Sequence, residues 1–285
     1  MNRQKSFSKD TSVLYLVATP IGNLQEFTPR AIQTLMEVDY VAAEDTRNTI
    51  RLMNHFDIKT KLISHHEHNI KSSIPKIIDL LKEGNNVALV SDAGYPAISD
   101  PGYELVQACI ENDLTVVPIS GANACLDALI VSGIAPQPFT FYGFLDHQDK
   151  QKKKELEAYK NHRETIVYYE SPYRIKKTLS LMLEILGDRK IALCRELTKL
   201  HEEIIRGHIS EVLDIVDELK GEMVVVVEGC KNPETEEVVY EQSVYSQIET
   251  YIASGMSSKD AIKQVAKERN LKKNEVYQTY LNEKG

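Results

Sequence analysis

No glycine in this sequence is followed two positions later by another. A Rossmann dinucleotide fingerprint, which needs that step at its first turn, is therefore not expected. The chain also lacks a G-x-x-x-x-G-K-[ST] loop, a G-x-S-x-G elbow and an H-E-x-x-H pair. Nicotinamide enzymes, P-loop kinases and the common hydrolases lose ground accordingly. Cysteine is scarce: Cys109, Cys125, Cys194 and Cys230 lie far apart, without metal-ligand or redox spacing, as reduced thiols of a cytoplasmic protein do. Long apolar runs are missing too. Val13 to Ala18 and Met223 to Val227 are far short of the roughly 20 residues that cross a bilayer. The polar start, MNRQKSFSKDTS, has no signal-peptide apolar region. A soluble, cytoplasmic protein with no membrane partner is expected. An excess of positive charge is also absent. The formal net charge is −8, so any RNA must be met by local basic patches.

What is present is an ordinary globular composition, 42% hydrophobic over 285 residues, a length that suits two domains or one large domain with an appendage. Short β-branched runs alternate with amphipathic stretches. Val13 to Ala18, Val38 to Ala43, Lys61 to Ser64, Val87 to Val90 and Thr115 to Pro118 read as strands. Ala31/Ile32/Leu35/Met36, Ile74/Ile77/Ile78/Leu81 and Leu105/Val106/Cys109/Ile110 read as helices between them. Continuous apolar strands separated by helices predict an α/β domain with a mainly parallel sheet. Thr28-Pro29, Asp100-Pro101 and Ser171-Pro172 each place a capping side chain before a proline, a helix-start signature. Further on, Thr140 to Phe144, Thr165 to Tyr169, Ile191 to Arg195 and Met223 to Val227 read as strands. Helices are expected at 122–131, 175–186 and 210–219, and Arg206-Gly207-His208 reads as a turn between antiparallel strands, giving a mixed sheet. The expected domains are 12–119, 120–230, and a linker with a helix-turn-helix-like tail over 231–285. In that tail the polar stretch 231–237 reads as linker. Ser257 with Asp260 resembles a capping box, Asn270-Leu271 breaks the stripe, and Asn274 caps a last helix. From Ser257 onward seven Lys/Arg face four Asp/Glu, so the tail reads as a packing appendage or an RNA-contacting module.

Three loops leave the carboxyl ends of predicted strands, where open α/β sheets bind ligands. They are Thr19 to Leu24, Ser91 to Gly102 and Pro118 to Ala124. Gly94 allows close backbone approach, and Asp92 can accept from a ribose hydroxyl or an amino group; a plain tight turn is the alternative. The helix start at Ala122 to Ala124 offers amides to a carboxylate or a ring nitrogen.

Six segments, taken in order, carry a resemblance: A-T-P-I-G-N-L (18–24), A-A-E-D-T-R (42–47), S-D-A-G-Y-P-A-I-S-D-P-G (91–102), Y-Y-E-S-P-Y-R (168–174), A-L-C-R-E-L-T-K (192–199) and K-G-E-M-V-V-V-V-E-G (220–229). Together they resemble the ribosomal RNA small-subunit methyltransferase I family of the tetrapyrrole-methylase superfamily. The resemblance implies a tetrapyrrole-methylase-like α/β fold of two domains with S-adenosylmethionine in the cleft between them, a homodimer and no metal. It implies 2′-O-methylation of a cytidine in the decoding region of 16S rRNA, so the partner is 16S rRNA or the small ribosomal subunit. The cofactor contacts it implies are Pro20, Asp92, Ala93, Gly94, Tyr95, Ser120, Gly121, Ala122, Asn123, Tyr169 and Glu170. Two places depart from the family's pattern. Gly94-Tyr95-Pro96 stands where G-T-P is usual, so the tyrosine either crowds the pocket or forms its wall. Ser120 to Ala124 replaces a P-G-P-S-A-like turn.

For such a transfer, positioning dominates, aided by a base for the hydroxyl. The candidates are Glu44 or Asp45 near the hydroxyl and Arg47 on a phosphate. Lys152, Lys153 and Lys154 in the basic stretch 150–163, with Arg174, Arg195 and Lys199, are candidate RNA contacts. A salt bridge or a solvated helix face is the alternative for each. His65, His66 and His68, with Glu67, look at first like metal ligands, but a strand end would splay them to opposite faces. The competing functions are a tetrapyrrole methyltransferase, a non-catalytic RNA-binding ribosome-assembly factor, and a diphthamide-type protein methylase.

Overall fold

Five apolar runs in the first 119 residues become the strands of one sheet: β1 (Val13–Val17), β2 (Tyr40–Ala43), β3 (Lys61–Ser64), β4 (Val87–Val90) and β5 (Thr115–Ile119). The computed structural model describes residues 3–6, 11–233, 242–269 and 271–284. The sheet order is β3-β2-β4-β1-β5, with every pairing parallel. The connections are α1 (Pro29–Glu37), α2 (Thr46–His55), α3 (Ile70–Lys82) and α4 (Tyr103–Glu111). All four residues of β4 are buried, as a strand with helices on both faces requires. Ala31, Leu35 and Met53, from α1 and α2, cover one face. Ile77, Ile78, Leu81, Leu105 and Cys109, from α3 and α4, cover the other. Each large aliphatic side chain so buried contributes about 1.5–3 kcal/mol. The neighbours β1 and β4 therefore send their chains to opposite faces. The crevice beyond their carboxyl ends is a topological switch point, the usual ligand position in an open α/β sheet.

The second sheet contains β6 (Phe139–Phe144), β7 (Thr165–Glu170), β8 (Lys190–Arg195), β9 (Glu203–His208) and β10 (Met223–Val227) in the order β6-β7-β10-β8-β9. Only β6 and β7 pair in parallel, so the sheet is mixed, as expected. On one face lie α6 (Asp149–Ala158), α7 (Ile175–Leu186) and α8 (Ile209–Leu213) through Leu156, Leu179, Met182 and Val212. On the other lies α5 (Ala124–Val131) through Cys125, Ala128 and Leu129. Residues Met1–Pro233 form one compact unit and Glu234–Gly285 a second. The second contains α9 (Val244–Ala253), α10 (Ser258–Glu268) and α11 (Lys273–Lys284) around Ile248, Ile262, Val265, Val276 and Tyr280. No helix among the described residues is long and apolar enough to cross a membrane.

Local signals succeed where a side chain serves only its own backbone. Thr28 Oγ1 accepts the Ala31 amide at 3.1 Å and Pro29 opens α1. Ser257 accepts the Asp260 amide and opens α10. They fail where tertiary contacts claim the residue. α4 starts at Tyr103, not after Asp100, because Gly102 is its cap; a Cβ there would lie 2.7 Å from Leu89. α7 starts at Ile175, its first amides bonded to the Ser171 carbonyl. Arg206-Gly207-His208 is not a turn but the end of β9. Gly207 is there for space, since a Cβ would meet the Glu211 carboxylate at 2.7 Å. The turn between β8 and β9 lies at 196–202 instead, with Glu196 and Thr198 at positive φ. The predicted helix 210–219 is the short α8 followed by a 3-10 turn, Val216–Glu218. Asn274 lies inside α11 rather than capping it. The break at Asn270 and most of the stretch 231–237 lie outside the described residues. The helices α2 and α9 and the strand β9 add to the elements the sequence pattern predicts.

Lys152 corrects an expectation. It does not face solvent for RNA but is 2% exposed, at the heart of the α6–β7–α7 packing. Its Nζ donates to Thr178 Oγ1 at 2.8 Å, Thr178 donates to Glu170 Oε2 at 2.6 Å, and Nζ lies 3.7 Å from that carboxylate. Glu170 also accepts the Ser171 amide at 2.8 Å and lies 3.2 Å from Arg174 Nε. Burial holds the Lys152 ammonium below the usual lysine range, opposed by the Glu170 charge. Lys152→Met would strip the buried Glu170 carboxylate of one of its two cations, leaving Arg174, and should cost about 3 kcal/mol in urea unfolding. Adding Glu170→Gln should return part of that loss; a single variant as stable as wild type would contradict the network.

Candidate functional site

The three predicted loops meet on one edge of the parallel sheet. Thr19 and Gly94 exchange backbone hydrogen bonds, and the Ala18 amide donates to the Ile119 carbonyl. Gly121 presses on the end of β1, where a Cβ would lie 2.9 Å from that of Ala18. The Tyr95 hydroxyl accepts the Gly121 amide at 3.2 Å. Tyrosine in place of the family's threonine thus forms a wall and straps two loops together.

Beyond these loops lies a cavity of about 400 Å³, within the range of about 300–1,000 Å³ of small-molecule sites. The parallel sheet supplies Ile21, Glu44 and residues 92–95 and 98–100; α5 supplies Asn123 and Ala124. The mixed sheet supplies Phe144, Tyr169 to Pro172, Cys194, Leu197 and Glu222 to Val224. Of the predicted cofactor residues, Asp92, Ala93, Gly94, Tyr95, Asn123, Tyr169 and Glu170 come together here. Ser120, Gly121 and Ala122 sit behind the lining, and Pro20 faces a neighbouring groove. The Glu170 carboxylate is turned into the Lys152 network. Burial pushes the Tyr169 phenol up to about 12, so it is a neutral wall.

Glu44 and Asp45 part company. Glu44 lines the cavity, and burial, then Asp100 and Asp92, push its carboxyl above the usual range. Asp45 instead caps α2 and binds Arg47 at 3.0 and 2.7 Å. That pairing lowers its pKa to about 2 and leaves a poor base. Arg47 is 86% exposed on its side chain. Most other basic candidates have local partners. Arg174 binds the carbonyls of Leu145 and Asp146, and Arg195 binds Glu203 and the Lys220 carbonyl. Lys199 binds Glu196 and Glu222, and Lys153 binds Glu184. Lys154 is exposed on α6. Buried His65 bonds Ser73 at 2.8 Å, and no group of three potential ligands among the described residues is placed to hold a metal ion.

The cavity lining includes Glu44, Asp92, Asp100 and Glu222 but no Lys, Arg or His. This donor set, with apolar walls from Ile21, Ile98, Phe144 and Leu197, suits a partly planar ligand that carries positive charge. Sequence reasoning missed Asp100, which it took for a helix cap, and Glu222. Burial, then the Asp92 charge, raises the Asp100 carboxyl against a hydrogen bond from Ser91. An acid with a raised folded pKa stabilises the fold below its unfolded pKa, and that stabilisation is lost as pH rises through the folded value. Asp100→Asn should therefore raise Tm near pH 7.5 by about 1–3 °C and lose the gain toward pH 4. A Tm unchanged or lowered at pH 7.5 would show that the charge is not strained.

Comparison with known proteins agrees with this architecture. Residues 13–213 match the family described as tetrapyrrole (corrin/porphyrin) methylases. Ribosomal RNA small subunit methyltransferase I of Bacillus subtilis (strain 168) is 55% identical, covering 98% of each chain. The proteins of the same name from Halalkalibacterium halodurans and Synechocystis sp. are 51% and 42% identical. They cover 98% and 94% of this chain and 99% and 97% of their own. The solved structure of a cobalamin-biosynthetic cobalt precorrin-4 methyltransferase aligns with a TM-score of 0.58 at 16% identity. That of uroporphyrin-III-C-methyltransferase from Thermus thermophilus gives 0.55 at 18%. Each alignment covers 76% of this chain and 94% of the other, and at these identities the likeness is one of fold. With the family match running from β1 through α8 and full-length relatives at up to 55% identity, the chain belongs to the tetrapyrrole methylase family, in its ribosomal RNA small-subunit methyltransferase I branch.

Proposed function

We propose that this protein is a cytoplasmic, homodimeric S-adenosylmethionine-dependent methyltransferase acting on the 2′-hydroxyl of a cytidine in the decoding region of 16S rRNA. The full-length relatives named as small-subunit rRNA methyltransferases support the substrate class. The observation that carries the chemistry is the cavity at the switch point, rich in carboxylates and lined by no cation. S-Adenosylmethionine, bound here, would supply an activated methyl group on a positively charged sulfur. Asp92 would accept from its ribose hydroxyls, and the carboxylates would face its cationic end. The first turn of α5, at Asn123 and Ala124, would present backbone amides to its carboxylate. Tyr95 and Tyr169 would wall the site against water.

Glu44 is the base this arrangement supports. A ribose hydroxyl is a weak nucleophile, and a carboxylate whose pKa is raised by burial and neighbouring charge is a stronger proton acceptor than an ordinary one. Glu44 would take the hydroxyl proton as the oxygen accepts the methyl group, the carbon–sulfur bond breaking to leave a neutral thioether. Positioning between the two sheets supplies the rest of the rate. The residue spans 12–119 and 120–230 serve as the two halves of the cleft, and 231–285 as an appendage.

Tritiated methyl transfer to unmodified small subunits, followed by nucleoside mapping, tests the reading. Label in 2′-O-methylcytidine is expected. Label on uroporphyrinogen alone would make it a tetrapyrrole enzyme. Absence of both label and cofactor binding would make it a non-catalytic assembly factor. Glu44→Gln should lower kcat by about 10²- to 10⁴-fold with cofactor binding retained. Wild-type kcat should fall on acidification at a pH above the ordinary carboxylate range, since Glu44 must be ionised to act. A Glu44→Gln enzyme with wild-type kcat would remove Glu44 from the chemistry.

A further inference from the structure

Beside the cavity lies a second depression, of about 330 Å³. Its walls include Pro20 and Gly22 from the first loop, Asn48, Arg51 and His55 from α2, and Asp92. Consecutive residues of the first loop part between the two: Ile21 faces the cavity, Pro20 and Gly22 the groove. The next segment divides in the same way. Glu44, just before α2, lines the cavity, while Arg51 and His55 line the groove. Arg47, Arg51 and His55 follow one another at four-residue spacing and so share one face of α2 over about 12 Å. Asp92 belongs to both walls, and Asn48 Nδ2 holds its Oδ2 at 2.8 Å.

The charge balance differs across that shared wall. The cavity side has carboxylates and no cation. On the groove side the Arg51 guanidinium offsets Asp92, and the His55 imidazole stands beside it as a hydrogen-bonding group. Arg51 is exposed, and among the described residues its guanidinium has no ion-pair or hydrogen-bond partner, unlike Arg174, Arg195 and Lys199. An anionic strand is therefore repelled from the cavity, while at its rim the exposed Arg51 offers it a cation, and only a hydroxyl need cross the Asp92 wall.

We infer that the groove holds the phosphodiester backbone of the substrate RNA immediately beside the reacting ribose, with Arg51 as the phosphate ligand and His55 as a second donor. This rests on the RNA reading above. Guanidinium–phosphate contacts position a strand without reading its sequence, so the groove sets register, while selection of the cytidine lies elsewhere.

The test uses the full chain carrying Arg51→Gln and His55→Gln together, with wild type and Arg51→Lys alongside. Retention of 16S rRNA on filters is measured across a salt series, and methyl transfer to small subunits at initial rates. In the double variant KM for subunits should rise about tenfold, with kcat and cofactor Kd unchanged. The slope of log affinity against log salt should become shallower by about one to two. Arg51→Lys should recover part of the binding, as a point charge can. Affinity, salt slope and KM all equal to wild type would overturn the inference. If the double variant loses rRNA affinity and salt slope while neither protein transfers methyl, the groove stands and the reaction assignment falls. If wild type binds no rRNA, both fall.

Discussion

Two backbone hydrogen bonds hold the site together: Thr19 to the Gly94 carbonyl at 2.9 Å and Gly94 to the Thr19 carbonyl at 3.1 Å. They join the chain beyond β1 to the chain beyond β4, the two strands whose connections leave for opposite faces of the sheet. Without this stitch the switch-point crevice would open into two independent loops. Gly94 makes it at φ 76°, a conformation that costs glycine little, and the Thr19 hydroxyl reinforces it by donating to the Ser91 carbonyl at 3.1 Å. Tyr95, the next residue, then reaches Gly121, so the third loop is registered on the first two. The cavity floor is one bonded surface built from three sequence-distant turns.

The second sheet closes that floor and is itself held by a buried polar network. Lys152, Thr178, Glu170 and Arg174 connect α6, α7 and the end of β7 beneath the segment that lines the cavity. Across the cleft the opposite policy holds, for Glu44, Asp92 and Asp100 face one another without a cation among the lining residues. Three of the five non-glycine residues at positive φ among the described residues lie nearby. Ala97, Glu196 and Thr198 are non-glycine residues at positive φ, all in segments that contribute to or border the cavity. The site is thus paired on its supporting side and left with uncompensated carboxylates on its open side.

The fold was legible because its signals are local. A β4 buried at every position reads as a continuous apolar run, and a Thr-Pro pair with an apolar stripe reads as α1. The site was legible as three loops at strand ends and as ordered motifs. Charge roles were not. Lys152 stands in a run of lysines that looks like a solvated patch, yet it is the one turned inward to a carboxylate 18 residues away in sequence. Asp100 and Gly207 carry cap and turn signatures but answer to neighbours that no window around them contains. In the tail, Ser257 and Ser243 each cap their own helix, while the apolar face of α9 finds its partners only in α10 and α11.

By itself, then, the sequence determined the succession of strands and helices, the parallel-then-mixed sheets, the family and the loops that bear the site, since each depends on burial period, turn chemistry or motif order along the chain. Only the tertiary structure decided that Glu44 rather than Asp45 enters the cavity, that Tyr95 is a strap, and that Arg51 and His55 stand across the Asp92 wall from the carboxylates. Adjacent residues are chemically alike in sequence but leave the backbone in different directions. Whether a charge is buried, paired or exposed is settled by what other segments bring to it.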